Sequence, residues 1–341
     1  MRKIVFTAIG VLMFSATTML AQSSNGVGYK GVAPRRTEFI SYSTRVGAEK
    51  GDRSAERHYL NLQYKHSGTT TNAEGESVAR YEVDIPLVWR DRDIFLHTEG
   101  GVAEKRIRVN GAEVGECRDN RTPAEFLISK YIKDGTTVIE LISPAECDLR
   151  PSEMLGENPL EEQLFIYSQP PIRIHDILLS AHPDPTGRHG ELSMDVIVSS
   201  SRRSREHISV GYDIYSPEKE LKYYDVREHE VGALATDTIH FQTNIYGAME
   251  RLWSAESPKL YDVTLYLKRG GIISEYINIK VGFGTTSFAD GVILRNGKPV
   301  DIRAARYNTS GPAKQTEADL KALKRQKINT IYTDYPQPYW F

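Results

Sequence analysis

Residues 106–114 read Arg106-Ile107-Arg108-Val109-Asn110-Gly111-Ala112-Glu113-Val114, two short alternating runs joined by Asn-Gly. Alternation at period two marks a half-buried strand. A type I′ turn needs positive φ at both central positions, which Asn-Gly accepts at little cost. The stretch therefore predicts a β-hairpin. The pattern recurs around it in Tyr81-Glu82-Val83-Asp84-Ile85, Ile94-Phe95-Leu96-His97 and Val138-Ile139-Glu140-Leu141-Ile142, with Asp134-Gly135 marking another turn. Short strands at this spacing predict a β-sandwich over residues 59–171.

The proline-flanked break Gln169-Pro170-Pro171 opens a second β-rich block, residues 172–284. Its strands include Leu192–Val198, His207–Tyr215, Thr238–Thr243, Leu260–Leu267 and Tyr276–Val281, separated by loops at His182–Gly190 and Ser199–Ser204. About seven strands in a block of this length suit an immunoglobulin-like sandwich. The last block, residues 285–341, changes character. Val300–Ala304 reads as a strand. Gln315–Gln326 has Leu320 and Leu323 at helical spacing with Thr316 as N-cap, and Ile328–Tyr332 reads as a second strand. Strand, helix, strand is a βαβ unit and implies a parallel pair.

Composition narrows the functional classes. Across 341 residues, 43 Lys+Arg face 45 Asp+Glu, so no electrostatic case for nucleic acid exists. Two cysteines rule out a disulfide-dense scaffold and a Cys-based zinc or iron–sulfur domain. Arg2 and Lys3, the apolar run Ile4–Phe14 and Leu20-Ala21-Gln22 read as a secretory signal peptide over residues 1–21, against the alternative of a buried N-terminal helix. The run is too short to span a bilayer, and no later stretch is long enough. Residues 22–58 then read as an extended N-terminal segment. The mature protein is expected to be exported, to the periplasm or beyond the cell. There Cys117 and Cys147 either pair, closing a loop worth roughly 3–4 kcal/mol, or stay as two inert thiols.

Longer matches identify a family. Val109-Asn110-Gly111-Ala112-Glu113-Val114-Gly115 followed by Arg121-Thr122-Pro123-Ala124-Glu125-Phe126 resembles the N-terminal sugar-binding domain of glycoside hydrolase family 2, the β-galactosidase/β-glucuronidase family. Phe39-Ile40-Ser41-Tyr42, Lys50-Gly51-Asp52-Arg53 and Tyr59-Leu60-Asn61-Leu62 are similar to the lead-in of bacterial β-galactosidases. Leu252-Trp253-Ser254-Ala255-Glu256-Ser257-Pro258-Lys259-Leu260-Tyr261 resembles a strand approach of the family's immunoglobulin-like domain. Val281-Gly282-Phe283, Asn296-Gly297-Lys298-Pro299-Val300 and Lys327-Ile328-Asn329-Thr330 resemble its passage into the catalytic (β/α)8 barrel. The resemblance implies a mainly β chain: a jelly-roll sugar-binding sandwich, an immunoglobulin-like sandwich and a short βαβ fragment of the barrel. It implies no cofactor.

It also implies retaining glycoside hydrolysis, which needs two carboxyl groups about 5–5.5 Å apart. In this family these are glutamates on the fourth and seventh barrel strands. Residues 285–341 supply only the first two strands of a fold that takes roughly 250 residues. The expectation is a chain that does not hydrolyse by itself, with the enzyme reading open if further polypeptide completes the barrel. The pattern departs elsewhere too. Ala304-Ala305-Arg306-Tyr307-Asn308 and Tyr332-Thr333-Asp334-Tyr335-Pro336 lack the histidines usual after the first two barrel strands, and a long sugar-reaching loop before Tyr81 is replaced by the short polar stretch Ser67-Gly68-Thr69 to Asn72.

The candidate residues each carry two readings. Asp334 stands where a barrel strand delivers functional groups, or is a solvated loop acid. Tyr335, Tyr339 and Trp340 could stack on a pyranose ring, or form a terminal tail. His182, Asp184 and His189 have metal-ligand types but a spacing that fits no standard set. Arg121 and Glu125 are expected to shape the jelly-roll. A lone βαβ unit leaves a strand edge and a helix face uncovered. Residues 285–341 are therefore expected to dock on a sandwich, to dimerise, to be disordered, or to pair with a second chain that completes the barrel.

Overall fold

The structure is a computed structural model, and it describes residues 29–31, 33, 39–53, 56–101, 104–118, 122–144, 160–309, 312–334, 337 and 341. It is mainly β. The first strands are β1 (Tyr29–Lys30), β2 (Tyr59–Asn61), β3 (His66–Thr71), β4 (Ser77–Asp84) and β5 (Asp93–Gly101). They continue as β6 (Lys105–Val109), β7 (Ala112–Cys117), β8 (Ala124–Leu127), β9 (Thr136–Ser143) and β10 (Leu160–Gln169). One sheet runs β1-β7-β6-β9-β4-β3 and the other β2-β10-β5-β8, with antiparallel neighbours throughout. Between them lies a core of Leu62, Trp89, Leu96, Ile107, Ile139 and Ile166. The hairpin at Asn110-Gly111 forms as its chemistry requires, with φ of 49° and 80°. Asn110 also ties the turn down, donating from Nδ2 to Tyr131 O (2.9 Å) and accepting Val138 N–H at Oδ1 (2.9 Å).

Several features differ from the sequence reading. The polar stretch at 67–72 is not a connection: its threonines form β3, an edge strand laddered to β4. Strand β5, read as half-buried, is buried on both faces. Ile94 and Leu96 enter the core, while Phe95 packs with Phe165 and Tyr167 on the outer face. Ile40 and Tyr59 cover that face, and the Arg53 guanidinium lies 5.6 Å from the Phe165 ring. The segment read as extended thus wraps the sandwich. It also carries helix α1 (Arg45–Lys50), where Thr44 Oγ1 accepts the Gly47 N–H (3.1 Å) and Gly51 closes the helix at φ 65°.

The second block holds β11 (Ile172–Pro183), β12 (Gly190–Ser200), β13 (Glu206–Tyr215), β14 (Leu221–Val231), β15 (Thr236–Ile245), β16 (Tyr261–Arg269) and β17 (Ile272–Val281). Sheet β11-β12-β15 faces sheet β14-β13-β16-β17. Every second residue of β12 is buried, and Leu192, Met194, Val196 and Val198 meet Val210, Tyr212, Val263 and Leu265 in one core. Seven antiparallel strands in two such sheets are the immunoglobulin-like architecture.

Residues 286–299 form a small meander, β18 (Thr286–Ala289), β19 (Val292–Arg295) and β20 (Lys298–Pro299). It docks on the second sandwich: Asn296 Nδ2 donates to Trp253 O (3.0 Å), and the Arg295 guanidinium lies 4.6 Å from the Trp253 ring. Then β21 (Ala304–Arg306), helix α2 (Ala313–Arg325) and β22 (Thr330–Tyr332) make the βαβ unit, with β21 and β22 parallel. Its boundaries correct the sequence reading. Residues 300–303 are outside the strand because Asn329 captures them: Arg303 N donates to Asn329 Oδ1 (2.9 Å), and Asn329 Nδ2 donates to Asp301 O (2.6 Å). Strand pairing starts only at Ala304 and Thr330. Thr316 is not an N-cap. Pro312 holds that position, and Thr316 lies buried one turn in, its hydroxyl bonded to that of Thr309. No helix among the described residues is long and apolar enough to cross a membrane.

Candidate functional site

Parallel β-strands present their C-terminal ends to one side, where barrel chemistry is delivered. In this chain that side carries the residues following β21 and β22. Asp334 sits there, and its carboxylate accepts Arg306 Nε (2.7 Å) and Asn308 Nδ2. Its N–H donates to Asn308 Oδ1 (3.0 Å). Gln337 Nε2 donates to the same oxygen (3.2 Å), while Gln337 Oε1 accepts Thr309 N–H (2.8 Å). The two strand-following loops are thus stitched together by side-chain amides. The hydrogen bond from Asn308 and the Arg306 guanidinium hold the Asp334 carboxyl below the usual carboxylate range. Such a group stays ionised at neutral pH. It can orient a hydroxyl or balance a cation, but it is unsuited to donate a proton. The neighbouring acid, Asp319 on α2, is occupied in turn by Tyr307 OH (3.0 Å) and Gln315 Nε2 (2.8 Å). Tyr335, Tyr339 and Trp340 lie outside the described residues.

The remaining candidates resolve into local structure. Asp184 organises its own loop: Oδ1 accepts Arg188 N–H (2.8 Å) and His189 N–H (3.1 Å), and Oδ2 accepts Thr186 Oγ1 (2.7 Å). His189 instead turns its ring onto Tyr246, 4.4 Å away. Among the described residues no cluster of three or more His, Cys, Asp or Glu is placed to hold a metal ion. Glu125 accepts Tyr167 OH (2.7 Å) and lies 3.3 Å from Nδ1 of His97, whose ring stacks on Phe165. Cys117 is buried in the first core, whereas Cys147 and Arg121 lie outside the described residues. A groove of about 740 Å³ opens beside α1, walled by Tyr42, Arg53, Leu178 and Lys280, and its lining includes no carboxylate.

A polar seam between the sandwiches was not legible in the sequence. His58 accepts Arg57 Nε at its Nε2 (3.2 Å), and its Nδ1 faces Ser168 Oγ (3.4 Å). Ser168 is clamped by Arg92 through Oγ (2.9 Å) and O (3.0 Å). Burial, then the positive fields of Arg92 and Arg57, push the His58 pKa down to about 3. Burial likewise lowers Arg92 to about 10. Across the seam, fully buried Glu275 accepts Ile174 N–H (2.6 Å) and Gln169 Nε2 (3.4 Å), and burial raises its pKa. Arg173 pairs with Asp93 while lying over Phe95. Only the charge run Arg90-Asp91-Arg92-Asp93 hinted at such a junction. Its work is mechanical, since it joins the sandwich that ends at Gln169 to the one that starts at Ile172.

The comparisons with known proteins agree with this layout. The model of "Glycosyl hydrolases family 2" matches residues 172–283, the seven-stranded sandwich. A β-galactosidase of Priestia megaterium is 28% identical over 268 residues, covering 72% of this chain and 25% of that protein. A β-galactosidase of Streptococcus thermophilus is 25% identical over 304 residues, covering 83% of this chain and 29% of that protein. The chain therefore spans between a quarter and a third of the length of these relatives. Among solved structures, a β-glucuronidase of Bacteroides uniformis superposes with a TM-score of 0.67 at 18% identity, over 89% of this chain and 40% of that one. A glycosyl hydrolase family 2 member of Bacteroides cellulosilyticus superposes with a TM-score of 0.68 at 14% identity, over 77% of this chain and 37% of that one. These likenesses speak for the fold. The model thus places the sandwich of residues 172–283 in glycosyl hydrolase family 2, and the rest of the chain is similar to the aligned β-galactosidases.

Proposed function

We propose that this β-galactosidase-like chain is exported and does not hydrolyse glycosides by itself, serving as a carbohydrate-associated or interaction module. The observation that carries the reading is the state of Asp334. A retaining enzyme needs two carboxyl groups about 5–5.5 Å apart; at the end of the parallel pair Asp334 is engaged through Oδ2 by Arg306 and Asn308 and held ionised. Asp319 is engaged by Tyr307. Asp334, held below the ordinary carboxylate range, is not disposed to act as a proton donor. The sugar-facing role falls to Asp334 as a hydroxyl acceptor, with Tyr335 and Trp340 as stacking faces. Export rests on the charged and apolar pattern of residues 1–21.

Purified chain incubated with a nitrophenyl β-galactoside is expected to show no turnover above buffer, and robust hydrolysis would overturn the proposal. Retention on an immobilised galactoside column, lost in Trp340→Ala, tests the association. A second reading is favoured by Ile302, two residues before β21, and Tyr332, the last residue of β22, both of which are exposed. In that reading further polypeptide extends this sheet and completes an active β-galactosidase. Mixing the chain with that polypeptide should then restore hydrolysis.

A further inference from the structure

Strand β14 is the outer strand of its sheet and, among the described residues, pairs only with β13. At 11 residues it is long for an edge, and its sequence, Leu221-Lys222-Tyr223-Tyr224-Asp225-Val226-Arg227-Glu228-His229-Glu230-Val231, contains neither Pro nor Gly. Tyr224 is 68% and Val226 49% exposed. Edges of this kind are open to strand addition unless something blunts them. Here charge blunts the edge, with Asp225 Oδ1 accepting Val226 N–H (2.8 Å) and Oδ2 lying 3.7 Å from Arg227 Nε, contacts that a second strand would have to exchange, and the charges are arranged as a palindrome.

From that arrangement we infer that β14 is a homodimerisation edge, pairing antiparallel with β14 of a second copy about a two-fold axis at Val226. In an antiparallel pair, residues directly opposite present their N–H and C=O groups in the same sense, so a self-paired strand must be centred on a residue, not between two. Centring on Asp225, Arg227 or Glu228 sets like charges face to face at the axis, which is destabilising. Centring on Tyr224 matches no opposite charges. Centring on Val226 sets Lys222 opposite Glu230 of the second copy and Asp225 opposite its Arg227, each twice by symmetry, and joins the exposed valines at the axis. Among the described residues, the charged partners of Lys222 and Glu230 within one chain are the exposed side chains Glu220, Arg205 and His207, which can exchange for a second copy. The same charges that discourage indiscriminate pairing therefore specify one register. The result is an eight-stranded sheet continuous across two molecules, an isologous contact.

The test uses the intact chain. Sedimentation equilibrium should show a reversible dimer with a dissociation constant of roughly 10–100 µM, as suits a contact of modest area. Lys222→Glu should weaken it by about tenfold, and the swap Lys222→Glu with Glu230→Lys should restore it, since the palindrome is re-formed with signs reversed. Val226→Cys places two thiols opposite each other and should give a disulfide-linked dimer under mild oxidation, whereas Leu234→Cys, exposed but beyond the strand, should not. A chain that stays monomeric at several hundred micromolar would overturn the inference. So would a dimer that Lys222→Glu leaves unchanged, or one in which Val226→Cys fails to cross-link.

Discussion

His58 makes the chain's response to acid calculable. Its imidazole is 8% exposed and lies between the guanidinium groups of Arg57 and Arg92. Protonation would add a third positive charge to a desolvated seam, so the folded-state pKa falls to about 3 against 6.5 in the unfolded chain. A depressed pKa means that the unfolded state binds more protons below pH 6.5. The stability supplied by the neutral ring is then complete above pH 6.5 and is lost as pH falls toward 3. At 1.36 kcal/mol per pH unit, the loss is about 2 kcal/mol at pH 5 and approaches roughly 5 kcal/mol below pH 3. The perturbation is His58→Gln, which keeps polar contacts to Arg57 and Ser168 but cannot titrate. Urea unfolding at pH 7.5 and pH 5 should show the wild type more stable by about 1 kcal/mol at the higher pH, through its better hydrogen bonds. At pH 5 the order should reverse by about 2 kcal/mol relative to that difference. An NMR titration gives a second reading: the His58 ring resonances should stay constant from pH 8 to 4.5. A ring that titrates near 6.5, or a wild-type-to-variant gap that ignores pH, would refute the argument.

Other outcomes follow from the same geometry. Asp93→Ala strands the Arg173 guanidinium in the seam and should cost about 3 kcal/mol in chemical denaturation, well above a surface pair. Asn110→Ala forces a non-Gly residue without a turn-forming side chain to φ near 49° and removes the links to Tyr131 and Val138; about 2 kcal/mol should be lost, with Asn110→Gly recovering part of it. Val196→Ala, in the fully buried centre of β12, should lower stability by about 2–3 kcal/mol. Asp334→Ala should free the loops after β21 and β22, seen as faster hydrogen exchange at residues 333–334. The wild type should show the same acceleration only in acid, because Asp334 holds its partners above its ordinary carboxylate pKa and releases them as pH falls through the depressed value.

Local chemistry made much of the architecture readable. Alternation places Tyr81, Ile94, Ile107 and Ile139 on strands because one face of each must leave water, and Asn110-Gly111 turns the chain because few other pairs accept two left-handed conformations. Pro170-Pro171 ends one sandwich because proline cannot continue a ladder. The βαβ unit was also visible, but its edges were not, since Asn329 takes backbone groups that periodicity assigns to a strand. What periodicity cannot carry is side-chain company across long separations. Asp334 reads as a functional acid or a solvated loop acid until Arg306 and Asn308, 28 and 26 positions away, are seen to hold it. Glu275 looks like an ordinary strand residue until Ile174, 101 positions away, is found to donate to it in a buried seam. The amino-acid order alone determined the strands, the turns and the family, because these depend on neighbours within a few residues. Only the tertiary structure decided which charges are buried, which are spent on one another and which edge remains open, because electrostatic partnership and desolvation are properties of distance in space.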